Sequence, residues 1–324
     1  MAATSTSETW DAAWSSTMRA SRKELVDNIS DEYPLVAAFR QANNLDVVAG
    51  GKEIQENLMY ALNAFEWFDG MDTVNTDDVD GITSAFYPWR YGSSPITIPD
   101  TDAAENQTPH QQFDLLKAKT RQTMQTVLDG VNSALFGAQS GKSVLGLQDI
   151  VADAPTTGTV GGINRANEAW WRNQNNASST NFNNLTGNIY DGPGQVVTQF
   201  NSCSEGATTP THHFTTLTLY GELEQILQGT GYSRMEANRA SGGLQLNAPA
   251  MMGRPVQYDR DCSSGHWYTL NMRFLKLKIM RTMNFAKTPF RRNTNQHGEV
   301  GFVVVGTQLT TNNARRQGVS SAFT

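Results

Sequence analysis

The sequence predicts an α+β chain. Three observations carry that expectation: one long amphipathic helix, one aromatic-rich hairpin before it, and a series of short alternating strands after it. The helix is expected over 109–136. Thr108-Pro109 followed by Gln111 reads as an N-cap, a proline at the first helical position and a capping-box glutamine. Phe113, Leu116, Thr120, Met124, Val127, Val131 and Leu135 then recur three or four residues apart, which makes one helix face. Gly137 stands where a left-handed C-cap would fall. At about 1.5 Å per residue such a helix runs roughly 40 Å.

The hairpin is expected over 49–100. Gly50-Gly51 opens it, and Ile54, Leu58, Tyr60 and Leu62 alternate in part with polar residues. Phe65, Trp67 and Phe68 lead into an acidic, turn-rich piece from Asp69 to Gly81. The chain returns through Phe86, Tyr87, Trp89 and Tyr91 to Ile96-Thr97-Ile98-Pro99. A two-stranded hairpin is marginal by itself in water, so this one is expected to need a neighbour.

Residues 1–48 read as an arm, with a loose helical stripe of Trp10, Trp14, Met18, Leu25 and Ile29 and a second apolar patch at Leu35, Val36, Phe39 and Leu45. After the helix, 173–188 read as a polar loop. From 195 to 275 the pattern is mixed: Phe214 to Leu219 strand-like, Tyr220 to Leu227 and Arg234 to Ala240 helical, Leu244 to Leu246 and Val256 to Tyr258 strand-like. Tyr268 to Asn271, Phe274 to Ile279 and Val300 to Gly306 are expected strands, Phe290 to Asn295 a basic loop, and 308–324 a polar, Arg-bearing tail.

Composition narrows the class. The chain has 324 residues, enough for about two domains, of which 38% are hydrophobic and only 17% charged. Asn, Gln, Ser, Thr and Gly take up the difference, which suits polar surface that another chain covers. Two cysteines, Cys203 and Cys262, cannot make a disulfide framework; they could be bridged or free. No apolar run approaches the roughly 20 residues needed to span a bilayer, and Met1 to Glu8 has neither a basic nor an apolar leader region. A chain made and kept in a cytoplasm is therefore expected, and its Asn-x-Ser/Thr sequons carry no meaning.

Net charge is −6, but unevenly spread. Residues 1–110 hold eighteen acidic and six basic side chains, whereas 270–324 hold nine basic ones and a single acid, Glu299. Such asymmetry points to a partner, either nucleic acid or a second copy of the chain.

Catalytic signatures are absent. Gly137-Ala-Gln-Ser-Gly141-Lys142-Ser143 has three residues between its glycines where a phosphate-binding loop needs four, and it follows a helix instead of a strand. His212, His213, His266, Cys203 and Cys262 lack paired metal-ligand spacing; Cys262 and His266 are the one local pair. Asp77-Asp78 sits in a turn, and Arg291-Arg292 with Arg315-Arg316 lack interleaved aromatics for single-strand binding. No catalytic residue, cofactor or metal ligand is named.

The order of parts is nonetheless similar to a known family. Gly50-Gly51-Lys52-Glu53-Ile54 leading to Leu58-Met59-Tyr60, the long helix, and above all GLQDIVADAPTTGTVGGINRANEAWWRNQ (146–174) resemble the major capsid proteins of tailed bacteriophages, with the Hong Kong 97-type shell fold. Leu270 to Leu275 and the ending Gly306-Thr307-Gln308-Leu309 to Val319 resemble that group as well. The resemblance implies an N-terminal arm (1–48), an extended β-hairpin or E-loop (49–100), a peripheral domain with its spine helix (101–194), an axial domain (195–285), and a return to the peripheral domain with a C-terminal tail (286–324). Copies would form hexamers and pentamers of an icosahedral head around double-stranded DNA, contacted non-specifically, with a portal and decoration proteins as further partners and no membrane. The location implied is the virion, after synthesis in a bacterial host's cytoplasm.

Two departures from the family shape further expectations. Only about fifty residues precede the hairpin, so a separate scaffolding protein is expected. Lys52 is the sole lysine from 47 to 100, so covalent crosslinking through a lysine far out on the hairpin is not. Acidic Asp69, Asp72, Asp77, Asp78 and Asp80 are expected to meet basic Lys287, Arg291 and Arg292 of a neighbouring subunit. Competing readings are an encapsulin-like cellular container of the same fold, and a soluble nucleotide-dependent enzyme built on Gly137 to Ser143.

Overall fold

The structure, a computed structural model, describes residues 33–105, 109–177, 180–187, 189–229, 249–294 and 297–324. The stripe from Trp10 to Ile29, the Thr108 cap, and the helix and strand expected at Arg234 to Ala240 and Leu244 to Leu246 lie outside those residues.

In chain order, α1 (Pro34–Gln41) leads to β1 (Leu45–Val48), β2 (Glu53–Met59), β3 (Ile82–Pro88), β4 (Arg90–Pro99), α2 (Asp100–Glu105) and α3 (Pro109–Phe136). Next come α4 (Leu147–Ile150), β5 (Thr159–Val160), β6 (Ile163–Asn164), β7 (Gln174–Ala177), β8 (Leu185–Thr186), β9 (Ile189–Tyr190) and α5 (Asp191–Cys203). Then follow β10 (His212–Thr215), α6 (Leu217–Gly229), β11 (Ala250–Met251), β12 (Arg254–Tyr258), β13 (Trp267–Leu270) and β14 (Leu275–Met280). The chain closes with β15 (Ala286–Lys287), β16 (Arg291–Arg292), β17 (Gly298–Thr311) and β18 (Gly318–Ser321).

Two six-stranded sheets organise these elements. In the first, β17 is the axis: β4 pairs along one side from Gly298 to Thr307, and β14, β15 and β16 share the other. The second has the order β11-β12-β10-β13-β18-β7. Helix α3 spans the molecule between them. Its predicted face is inward, with Leu116, Met124, Val127 and Leu135 buried. Thr120, buried on the same face, donates its hydroxyl to the Leu116 carbonyl at 2.7 Å, so no polar group is stranded. The N-terminal part of α3 packs over Ile96, Ile98 and Val303 of the first sheet. At the other end, Phe136 meets Phe214 and Tyr268 of the second.

Helix α3 ends differently from expectation. Gly137 has no left-handed φ; its amide simply continues the ladder to Ser133 at 3.0 Å. Crowding accounts for the glycine further on: a Cβ on Gly146 would stand 1.9 Å from the Gly137 carbonyl oxygen.

The C-terminal tail is also corrected. The final expected strand runs on to Thr311, and 318–321 form a wholly buried strand between β13 and β7. Gln317 pins it, accepting from the Asn271 amide at 2.9 Å and donating to the Asn271 carbonyl at 3.0 Å. The polar loop expected at 173–188 likewise contains β7, which runs parallel to β18. Around Phe214 the strand is shorter than expected and the helix longer, with Leu217 already helical. Arg291 and Arg292, expected in a loop, form the short strand β16 against Val300 and Glu299.

Candidate assembly surface

The hairpin has a fastened root and a bare tip. At the root, β2 and β3 pair from Glu53 with Pro88 to Met59 with Ile82. Ile54, Leu58, Ala85 and Tyr87 point into the main core, each worth on the order of 1.5–3 kcal/mol for a large side chain. The expectation that the hairpin has little to pack against inside its own chain is therefore corrected for the root. Its return run is also divided, because β4 leaves the hairpin and pairs with β17 for ten residues.

The Gly-rich block builds the seat for that root. Gly161 and Gly162 turn β5 back onto β6 with φ of 60° and 79°, the left-handed pair that a tight hairpin turn requires. The same Gly161 carbonyl accepts the Phe86 amide at 2.9 Å, and a Cβ there would stand 2.7 Å from Ala85 Cβ. Tyr87 donates its hydroxyl to the Thr311 carbonyl at 2.9 Å. Beneath the sheet, Lys278 Nζ lies 2.8 Å from Asp46 and 3.2 Å from Glu56. Burial opposes the Lys278 charge, but the two carboxylates outweigh it and hold its pKa up. The Lys278 hydrogen bond in turn holds Asp46 below the usual carboxylate range.

Past Tyr60 the chain forms no strand until Ile82. Leu62, Phe65, Trp67, Phe68 and Met71 are all exposed here, Trp67 at 91%. Phe65 and Trp67 touch edge to face, their ring centroids 5.2 Å apart. Asp69, Asp72, Asp77, Asp78 and Asp80 are exposed on the same tip. The Asp69 amide donates to the Asp72 carboxylate at 3.1 Å, and the Asp77 amide to Asn75 Oδ1 at 2.8 Å.

Lys287 lies on β15, and Arg291 and Arg292 on β16, all three exposed. Arg291 and Arg292 sit across β17 from Thr97 and Ile98, at the far end of β4 from the hairpin. At about 3.3 Å per strand residue they are roughly 25 Å along the ladder from Arg90. The acidic set and the basic set are thus each gathered, and no ion pair among the described residues joins them. Arg292 has instead a partner that sequence reading missed, Asp100 at 3.0 Å. Glu299, the one acid of the closing segment, stands opposite Arg292 in register and is buried. Arg316 is likewise engaged, with Glu205.

The remaining candidate residues have structural partners. In the loop from Gly137 to Ser143, the Gln139 amide donates to the Asp149 carboxylate at 2.6 Å and the Ser140 amide to Ser143 Oγ at 2.8 Å. Amides committed to a carboxylate are not offered to a phosphate. Cys203 and Cys262 are both free and buried; burial pushes the Cys203 thiol up to about 12 and raises Cys262 as well. His213 is buried against Trp267, whose indole N–H donates to Nδ1 at 3.1 Å, and burial lowers its pKa to about 4. The hydrogen bond to Asp153, at 2.9 Å, raises that of His266. Among the described residues no three His, Cys, Asp or Glu side chains converge as metal ligands, and no helix is long and apolar enough to cross a membrane.

Comparison with solved structures places this architecture. The capsid of cyanophage A-1(L) superposes with a TM-score of 0.66, at 15% identity, over 90% of this chain and 93% of that one. The chain has the phage capsid-protein fold. A native GTA particle's capsid protein is similar, at a TM-score of 0.64 and 9% identity over 89% of this chain and 90% of that one. So is the SrpI encapsulin of Synechococcus elongatus, at 0.55 and 10% identity over 88% of this chain and 87% of that one. No protein-family model matches this capsid-fold chain, and no curated protein does.

Proposed function

We propose that this chain is a major capsid protein, assembling as hexamers and pentamers into an icosahedral phage head that encloses double-stranded DNA. The observation that carries the reading is the hairpin: its root is built into the core while its tip presents Leu62, Phe65, Trp67, Phe68 and Met71 to solvent. A rooted arm with an apolar end suits a surface laid over an adjacent subunit. The whole-length likeness to capsid chains supports the same conclusion. In this reading 1–48 are the arm, 49–100 the hairpin, 101–194 with 286–324 the peripheral part and 195–285 the axial part. Three strands cross between the peripheral and axial bounds: β14 lies in the first sheet, and β7 and β18 in the second. The acidic tip meets the basic strands of a neighbour, and the role is structural, in the virion.

Electron microscopy of the purified chain tests this. Closed shells or capsomers are expected, and limited proteolysis should cut free subunits between Gly70 and Gly81 but spare assembled ones. A stable monomer, or equal cleavage in both states, overturns it. A cellular container is the second reading, favoured by the encapsulin likeness; particles from the native source filled with protein instead of DNA would select it.

A further inference from the structure

A groove of about 280 Å³ lies between α3 and the edge of the first sheet where β4 begins. Its walls are apolar: Val127, Val131 and Ala134 of α3, Val144 beyond the helix, and Val305 of β17. Gly130 leaves the helix side open, since a Cβ there would meet nothing within 4 Å. Arg90 and Lys142 also line the groove, and no carboxylate does. Neither of these two side chains has a hydrogen-bond or ion-pair partner among the described residues. An apolar groove with two unanswered cations suits an occupant that is both apolar and anionic.

We propose that this groove receives the hairpin tip of a second copy of the chain, with Phe65 and Trp67 as the seated rings. The inference rests on the shell reading and names the surface that takes the tip. Both rings are exposed and touch each other, so they enter as one apolar body. An apolar cavity of about 150 Å³ already holds a benzene-sized ring, so this one has room for an indole. Glu66 stands between the two rings in sequence, and no Lys or Arg occurs from 53 to 89. The tip therefore brings negative charge to a groove whose only charged side chains are Arg90 and Lys142. A chain's own tip is on the wrong side for this contact. It lies beyond Ile82, whereas Arg90 lies beyond Pro88, at opposite ends of β3 about 20 Å apart. Tip and groove are different patches, so the contact is head-to-tail: each copy gives one and receives one, and a ring can close.

The test uses full-length unassembled subunits and a fluorescein-labelled peptide of residues 62–72, followed by anisotropy. The peptide should bind the parent chain, and Gly130→Leu, which fills the groove, should weaken that binding about tenfold or more. Leucine favours a helix interior over glycine, so the Tm of this variant should not fall. Arg90→Gln with Lys142→Gln should weaken binding and flatten its salt dependence. In light-scattering assembly, Gly130→Leu and Trp67→Ala should each slow growth, and the double variant should lose no more than the slower single one. No peptide binding, equal binding to Gly130→Leu, or losses that multiply in the double variant overturn the seat. Peptide binding lost in Gly130→Leu, from a parent chain that makes no shells, supports the seat and removes the shell reading. Shells that form equally well in Gly130→Leu do the reverse.

Discussion

The indole of Trp170 stacks on the ring of Tyr60, centroids 4.8 Å apart and planes 14° from parallel. Tyr60 is the first residue beyond β2, and its amide donates to the Gly81 carbonyl at 2.9 Å, closing the last rung of the hairpin root. Trp170 follows the Gly-rich block, with its N–H on the Glu168 carboxylate at 2.5 Å. One aromatic pair therefore marks where the hairpin stops belonging to its own core and begins to be available to another chain.

Removing that contact should loosen the root before it unfolds the core. Trp170→Ala forfeits about 0.5–1.5 kcal/mol of stacking, besides the area it buries. Hydrogen exchange should accelerate at 58–62 and 81–84 while α3 is unchanged, and Trp170→Phe should retain much of the protection. Uniform acceleration across the chain would show that Trp170 serves global stability instead.

The charge arrangement makes a second prediction. Arg291→Glu with Arg292→Glu should slow shell assembly and steepen its salt sensitivity, and Asp77→Lys with Asp78→Lys in the same chain should partly restore it. Isolated exposed pairs contribute only about 0–1 kcal/mol, but charges repeated around a shell govern register and rate more than affinity. Asp100→Asn is the needed control, since it removes the partner that Arg292 has within its own chain. Light-scattering curves showing no rescue at any salt concentration would mean that the two strips do not meet.

Shells should dissolve to single chains in hot detergent. Lys52 lies just before β2, at the root, and no other lysine occurs from 47 to 100 to form an isopeptide bond from the tip. Covalent ladders on a denaturing gel would contradict this.

Acid should destabilise the subunit through His213. Its folded pKa, about 4, lies below the unfolded value of about 6.5, so the unfolded chain binds the proton more readily. The stability from a neutral His213 is fully present above pH 6.5 and is lost as pH falls toward 4. The slope is roughly 1.4 kcal/mol per pH interval, or about 2 kcal/mol between pH 7 and pH 5. Urea midpoints of His213→Gln should fall less over that range than those of the parent chain; equal slopes would assign the acid sensitivity elsewhere.

What the sequence by itself determined follows the reach of each interaction. The helix over 109–136 was legible to the residue because its hydrogen bonds and its apolar face repeat every three or four positions. The segregated charge was an equally local fact. Only the tertiary structure decided that Gln174–Ala177 and Gly318–Ser321 are neighbouring strands. Neither segment alternates in hydrophobicity, and a parallel ladder between distant segments leaves no periodic trace in either. The same holds for Asp100 beside Arg292, Tyr60 on Trp170, and Asn132 of α3 bonded to Asp259 and Asp261 after β12. Helical order is written between near neighbours, whereas sheets, ion pairs and cavities join residues whose separation along the chain is arbitrary.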